Sequence, residues 1–203
     1  YNQANLSFVF TQAYTITGAK DFKRIAFETL DYVSHEMTNE DGSFYSASDA
    51  DSEGEEGLFF IWDKEEIETL LEEKAEEFIK LYQITSAGNF ERKNILNLLK
   101  PLEDYANENN LDYEKLVTRL AINKKILWEA RKNRTPPLRD DKVITAWNAM
   151  TIKSFAYVGQ QLGRKDYIEI AIRAANALLE KNKTETGQLS RSSLEGQASI
   201  PAL

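Results

Sequence analysis

The chain has 203 residues, 42% of them hydrophobic and 29% charged, with a formal net charge of −8 and no cysteine. That length fits one domain, or part of a larger one, with enough apolar material for a core, and its strong hydrophobic periodicity excludes disorder. The acidic balance argues against a nucleic-acid partner, which needs clustered Lys and Arg; the missing thiols exclude disulfides, thiol catalysis and zinc–thiolate sites, and fit a cytoplasmic setting.

Leu6 to Ile16 reads as a helix that is apolar or small nearly all round, the signature of a helix buried on both sides. A Gly18-x-Lys20-Asp21 turn leads into a second helix, where Phe22, Ile25, Ala26, Thr29, Leu30, Val33 and Met37 recur at helical spacing. The stretch from Phe44 to Trp62 changes character. Its flanks, Phe44-Tyr45-Ser46-Ala47-Ser48 and Leu58-Phe59-Phe60-Ile61-Trp62, have strand composition, and Gly54 and Gly57 stand between them. A β-hairpin inserted over 43–62 is expected, its loop carrying Asp49, Asp51, Glu53, Glu55 and Glu56.

Lys64 to Tyr82 follows as a charged helix with Asp63 as N-cap, and Tyr113 to Lys132 as another after Asp112. Between them, Ser86 to Asn110 reads as irregular, broken by Gly88, Asn89 and Pro101. The cluster Lys124, Lys125, Arg131, Lys132 and Arg134 reads as a solvated helix face and its favourably charged end. Thr135-Pro136-Pro137-Leu138-Arg139 stiffens a connector over 134–142. Trp147 to Leu162 is again apolar nearly all round, and an amphipathic helix follows from Tyr167. In all, six helices paired as three hairpins are expected. No run approaches the roughly 20 apolar residues of a membrane span, so no membrane partner is expected.

The two ends of the chain match without gaps at an offset of 145 residues: Gly18 falls on Gly163, Lys20 on Lys165, Asp21 on Asp166, Phe22 on Tyr167, Ala26 on Ala171 and Gly42 on Gly187. A repeated helical hairpin cannot bury its apolar face alone and must stack on neighbours. Alternation of all-apolar and amphipathic helices implies an inner and an outer layer. The chain opens at Tyr1 already in helical periodicity and closes on Ile200-Pro201-Ala202-Leu203, and it reads as a piece of a longer protein.

Three segments carry a family resemblance. Gly42-Ser43-Phe44-Tyr45-Ser46-Ala47 with Asp49-Ala50-Asp51-Ser52-Glu53-Gly54, then Gly88-Asn89-Phe90-Glu91 with Asn94-Ile95-Leu96, then Arg139-Asp140-Asp141-Lys142-Val143-Ile144-Thr145-Ala146-Trp147-Asn148 resemble the signatures of the spermatogenesis-associated thioredoxin-like family. The chain departs from that pattern at Asn2 and His35. The resemblance implies a thioredoxin-like domain elsewhere in the protein. It also implies an all-α fold in which residues 1–203 form a single, incomplete (α/α)6 toroid domain with one inserted β-hairpin, similar to six-hairpin glycosidases and N-acylglucosamine 2-epimerases.

Such barrels act on carbohydrates, so paired carboxylates become candidate catalysts: one held protonated, the other ionised, across a scissile or isomerised bond. Asp49, Asp51, Asp140 and Asp141 are the candidates. The competing reading has these side chains bond their own loop backbone or cap helices. Tyr45, Glu53, Lys142, Trp147 and Asn148 are candidate substrate contacts, the aromatic rings for stacking on a sugar. Asp49, Asp51 and Glu53 imitate the start of an EF-hand loop, but its twelfth position is Phe60 and its flanks read as strands, so no metal or other cofactor is expected. The expected function is carbohydrate processing or binding, with a small-molecule sugar as partner and self-association through the exposed edges of the incomplete ring. The alternative is a non-catalytic scaffold for the thioredoxin-like domain.

Overall fold

Gly18 and Gly163 end equivalent helices in the left-handed region, at φ 72° and 75°, and the repeat they mark organises half of the molecule. The computed structural model describes residues 1–184 and 186–201, the backbone alone for 198–201; Ala202 and Leu203, part of the closing segment named above, lie outside the described residues. In chain order the elements are α1 (Asn2–Thr17), α2 (Lys20–Glu36), β1 (Ala47–Ser48), β2 (Asp51–Ser52), β3 (Glu55–Glu56), α3 (Lys64–Leu71), α4 (Ala75–Tyr82), α5 (Leu102–Glu108), α6 (Tyr113–Arg131), β4 (Arg139–Asp140), β5 (Val143–Ile144), α7 (Thr145–Leu162), α8 (Lys165–Lys181), β6 (Ser190–Leu194) and β7 (Gln197–Pro201). The chain is mostly helical with small β-hairpins. Among the described residues no helix is long and apolar enough to cross a membrane. Tertiary contacts divide the chain into two compact units, Tyr1–Ser48 with Arg139–Leu203, and Asp49–Leu138.

In the first unit the repeat holds down to individual bonds. The loop after α2 donates Gly42 N to Asn39 O at 2.9 Å, Asn39 N to Ser43 O at 2.7 Å and Tyr45 N to Met37 O at 2.9 Å. The loop after α8 repeats them as Gly187 to Thr184 at 2.9 Å, Thr184 to Gln188 at 2.7 Å and Ser190 to Asn182 at 2.7 Å. Helices α1 and α7 run parallel, since Tyr1 meets Trp147, Ser7 meets Ser154 and Phe8 meets Tyr157 in the same order along both. Small side chains make that approach possible. Ser154 Oγ donates to Ala4 O, and Ala4, Ser7 and Thr11 are buried. Tyr167 of α8 reaches α2, its hydroxyl on Asp31 at 2.7 Å and Phe27 O at 3.1 Å. Burial first, and then the bond to Asp31, raise that phenol above its ordinary pKa. Leu30, Val33, Phe44, Phe155, Val158 and Tyr167 form the core.

Two expectations for this unit change. Helix α1 is covered on one side only: Leu6, Val9 and Ile16 are 47%, 56% and 83% exposed. The chain also continues past α8 into β6 and β7, which extend β5 into a three-stranded sheet of order β5-β6-β7.

The second unit has its own core, including Ile67, Leu71, Phe78, Leu81, Leu116 and Leu120. The expected hairpin over 43–62 shrinks to β2 and β3, whose turn residues Glu53 and Gly54 both have positive φ, at 54° and 84°. Such a turn matches strand twist and needs φ above zero at both central positions. The outlying segments do not pair with each other. Phe44 bridges Thr38, β1 pairs with β4, and Trp62 bridges Asn94. Nor is Lys64 to Tyr82 one helix: Glu72, at φ 50°, separates α3 from α4 through a 3-10 turn. Like charges at Glu72/Glu76 and Glu73/Glu77 weaken a continuous helix there.

The predicted cap Asp63 makes no cap bond and pairs with Lys93 at 3.4 Å, whereas Asp112 does cap α6, accepting from Lys115 N at 2.8 Å. The supposedly irregular segment contains α5, a helix of 7 residues that buries Leu102 and Ala106. Arg134, read as a helix-end charge, locks the loop beyond the hairpin. It donates to Phe59 O and Ile61 O, forks onto Glu66 at 2.8 Å, and stacks 4.0 Å over the Trp62 ring.

Candidate functional site

The first unit contains a cavity of about 310 Å³ where α1 and α7 begin. Its floor and walls come from four places: the first turn of α1 (Tyr1, Asn2, Gln3), the end of α2 (Tyr32, Val33, Met37), the strap Phe44–Ser48, and the Trp147–Thr151 edge of α7. The parallel packing of α1 on α7 sets both helix starts side by side, which places the Tyr1 and Trp147 rings 5.0 Å apart at a 49° tilt.

The strap is held at nearly every residue. Phe44 gives its N–H to Asn148 Oδ1 at 2.8 Å and takes Asn148 Nδ2 on its carbonyl at 2.9 Å. The Phe44 ring stacks on Phe155 at 5.5 Å. Ser46 donates both N–H and Oγ to Asp140 O at 3.1 Å, and Ala47 and Ser48 pair with Asp140 and Arg139. Tyr45 is fixed by its hydroxyl on Asn39 Oδ1 at 3.1 Å and by the Arg139 guanidinium 3.8 Å from its ring centre.

Of the residues singled out in the sequence, Tyr45 and Trp147 meet at this cavity. Asn148 is 2% exposed and lies beneath it, its amide engaged with Phe44 and Ile144 backbone, so it positions the strap instead of contacting a substrate. Asp140 and Asp141 do not line the cavity. Asp140 pairs with Lys142 at 2.9 Å, and that bond first of all holds its carboxyl below the usual range. Asp141 accepts from Arg139 Nε at 2.6 Å, which raises the guanidinium above its ordinary value. Lys142 is exposed and committed to Asp140.

Asp49, Asp51 and Glu53 belong to the second unit. Asp49 Oδ1 accepts from Ala50 N at 2.7 Å, folding back on its own loop, while Asp51 and Glu53 stand exposed on the hairpin. Among the described residues no group of three or more His, Cys, Asp or Glu side chains is placed to hold a metal ion. Trp62, at the end of the second strand-like flank, is 3% exposed in the second unit's core.

Sequence reasoning missed Tyr32 and Thr151. Thr151 follows Trp147 by one helical turn and shares its face, a signal that was available. Tyr32 falls outside the apolar stripe of α2, and only the strap folding over the end of that helix gives it a role.

The chain is thus a mostly helical protein built on a repeated helical hairpin, with an aromatic cavity at the start of the two equivalent helices. No family model matches it. It is 31% identical to spermatogenesis-associated protein 20 of Homo sapiens over 204 residues, covering 88% of this chain and 26% of that protein. The Mus musculus protein of the same name is 30% identical over the same shares. An uncharacterized protein of Caenorhabditis elegans is 28% identical over 218 residues, covering 95% of this chain and 30% of that one. These similarities support the family to which the three sequence motifs point. The chain spans about a quarter of the length of the mammalian relatives, 26%.

Proposed function

We propose that the first unit is a carbohydrate-binding module, and that its two hairpins are neighbours in an (α/α) toroid. The observation that carries the binding reading is the cavity itself. About 310 Å³ is the lower end of the range for small-ligand sites, and Trp147, Tyr45 and Tyr32 offer aromatic faces beside hydroxyl and amide groups. Sugars present apolar ring faces and polar edges, which suits such a lining. The toroid reading draws on the parallel packing of α1 on α7, each followed by an antiparallel partner, and on the uncovered apolar face of α1.

Acid–base processing at this site demands a protonated carboxyl, and Asp140, held low by Lys142, is ionised at neutral pH. It also lies outside the cavity lining, so an isomerase-like or glycosidase-like reaction takes both its acid and its base from elsewhere. The scaffold reading draws on a different observation: Asp49 bonds its own loop, as a structural turn does. Titration of the chain with mono- and disaccharides, followed by tryptophan fluorescence, tests between them. Saturable quenching lost in Trp147→Ala is the result expected of a binding module. No response to any sugar up to high millimolar concentration overturns it in favour of the scaffold.

A further inference from the structure

The repeat marks the point at which the second unit leaves the first. At the offset of 145, Ala47 and Ser48 of the strap correspond to Ser192 and Ser193 of β6. Both pairs run antiparallel to a returning strand in one register. Ala47 faces Asp140 and Ser48 faces Arg139, as Ser192 faces Ser199 and Ser193 faces Ala198. One step further, Asp49 gives its N–H to Leu138 O at 2.8 Å, where the second copy pairs Leu194 with Gln197. There the second copy closes through Glu195 and Gly196, at φ 50° and 76°, the two positive values of a tight hairpin turn. The first copy has residues 50–137 in that place.

The division of the chain in space falls at the same point. Tertiary contacts set the second unit at Asp49–Leu138, the two residues that close the ladder. Its core draws on residues 62–130, and that of the first unit on 27–44 and 152–174. The ends of the second unit are also tied to each other, Ser52 Oγ donating to Thr135 O at 2.6 Å. A surface turn whose flanking strands already lie side by side is where a chain accepts an insertion. We propose that residues 49–138 are an inserted module that folds and unfolds as its own cooperative unit, set into the turn of a strap hairpin that both repeat copies share. The strap wall of the cavity and the Asn148 clamp then belong to the repeat alone. Asp49, Asp51 and Glu53 belong to the neck and first turn of the module.

Hydrogen–deuterium exchange of the full chain, read peptide by peptide, tests this with one truncated leucine in each core. Leu116 and Leu30 are both 0% exposed. Leu116→Ala is expected to speed exchange of the core amides within 62–130 by about thirtyfold or more. The core amides within 27–44 and 152–174 keep the parent rate. Leu30→Ala is expected to do the reverse. A variant whose own unit unfolds outright gives the same support, provided the other unit keeps its protection. Either substitution speeding both cores by a similar factor overturns the proposal, because the chain then unfolds as one.

Discussion

Asn148 holds Phe44 by both backbone groups, accepting from its N–H at 2.8 Å and donating to its carbonyl at 2.9 Å across 104 residues of sequence. Both residues lie in segments that carry the family resemblance, and the bond ties those two segments together. Asn is the side chain that presents a donor and an acceptor side by side, as a neighbouring strand does. The clamp sets the strap against α7 and so fixes the Tyr45 side of the cavity.

Asn148→Ala leaves the Phe44 N–H and C=O unpaired where the residue is 3% exposed. Two orphaned buried groups cost about 2–4 kcal/mol. Urea denaturation is expected to show that loss, and Asn148→Asp, which sets a buried carboxylate against the Phe44 and Ile144 carbonyls, at least as large a one at neutral pH. An alanine variant as stable as the parent removes the clamp from the account.

Gly88 sits at φ 71°, and a Cβ there would lie 2.3 Å from the Lys93 carbonyl oxygen. Gly54, at φ 84°, has nothing within 4 Å of the same atom. Gly54→Ala therefore costs only backbone strain, about 1 kcal/mol. Gly88→Ala has to move backbone and costs more, roughly 2–4 kcal/mol. Chemical denaturation of the two variants, with second-unit unfolding followed through the buried Trp62, separates them; equal losses contradict the close approach.

The acid limb of stability follows from three depressed carboxyls. Burial pushes Asp41 upward, but bonds from Lys181 and from the Ser43 hydroxyl and N–H hold it below its ordinary value. Asp140 is lowered first by Lys142, and Asp166 first by Arg164. Each binds its proton less readily folded than unfolded. Its stabilisation is therefore present above the unfolded pKa, about 4, and is lost as pH falls through the folded value. Calorimetry between neutral pH and about pH 3 is expected to show Asp41→Asn less stable than the parent when neutral, with the gap closing as the solution becomes acid. A gap that stays constant with pH counts against the Lys181 and Ser43 contacts.

The repeat and the helices it spans were legible in the sequence because α2 and α8 carry period-3.6 apolar stripes and Gly18 and Gly163 mark their turns. Tyr45 and Trp147 were legible as aromatic residues at a strap and a helix start. Asn148 was legible as important, but its role was not: nothing local shows that an amide near a helix start is matched by a backbone segment 104 residues away. The segments Phe44–Ser48 and Leu58–Trp62 share strand composition, yet their partners are Thr38, β4 and Asn94, which lie far from where a hairpin would put them. The second motif, Gly88 to Leu96, is likewise held by buried contacts. Asn94 is 1% exposed and bridges Trp62 O at 3.1 Å to Thr85 at 3.0 and 3.1 Å, a knot that composition cannot show.

The last prediction concerns the uncovered side of α1, a helix of 16 residues without a charged side chain. At the repeat offset of 145, Leu6 and Val9 correspond to Thr151 and Ser154. Ser154 is the residue of α7 that bonds Ser7 and Ala4 of α1. The face that α7 uses to meet a parallel helix is therefore, on α1, the face carrying Leu6 and Val9 at 47% and 56% exposure. Contiguous exposed apolar stripes of this kind rarely stay bare, and a second copy of the chain presents the same stripe. Light scattering at high concentration is expected to give a mass above the monomer, and Val9→Glu to restore the monomer with the melting temperature almost unchanged, since a substitution at an exposed site costs within about 0.5 kcal/mol. A monomeric parent chain under those conditions sinks the idea. So does a Val9→Glu variant that still associates, because the contact then lies on another surface.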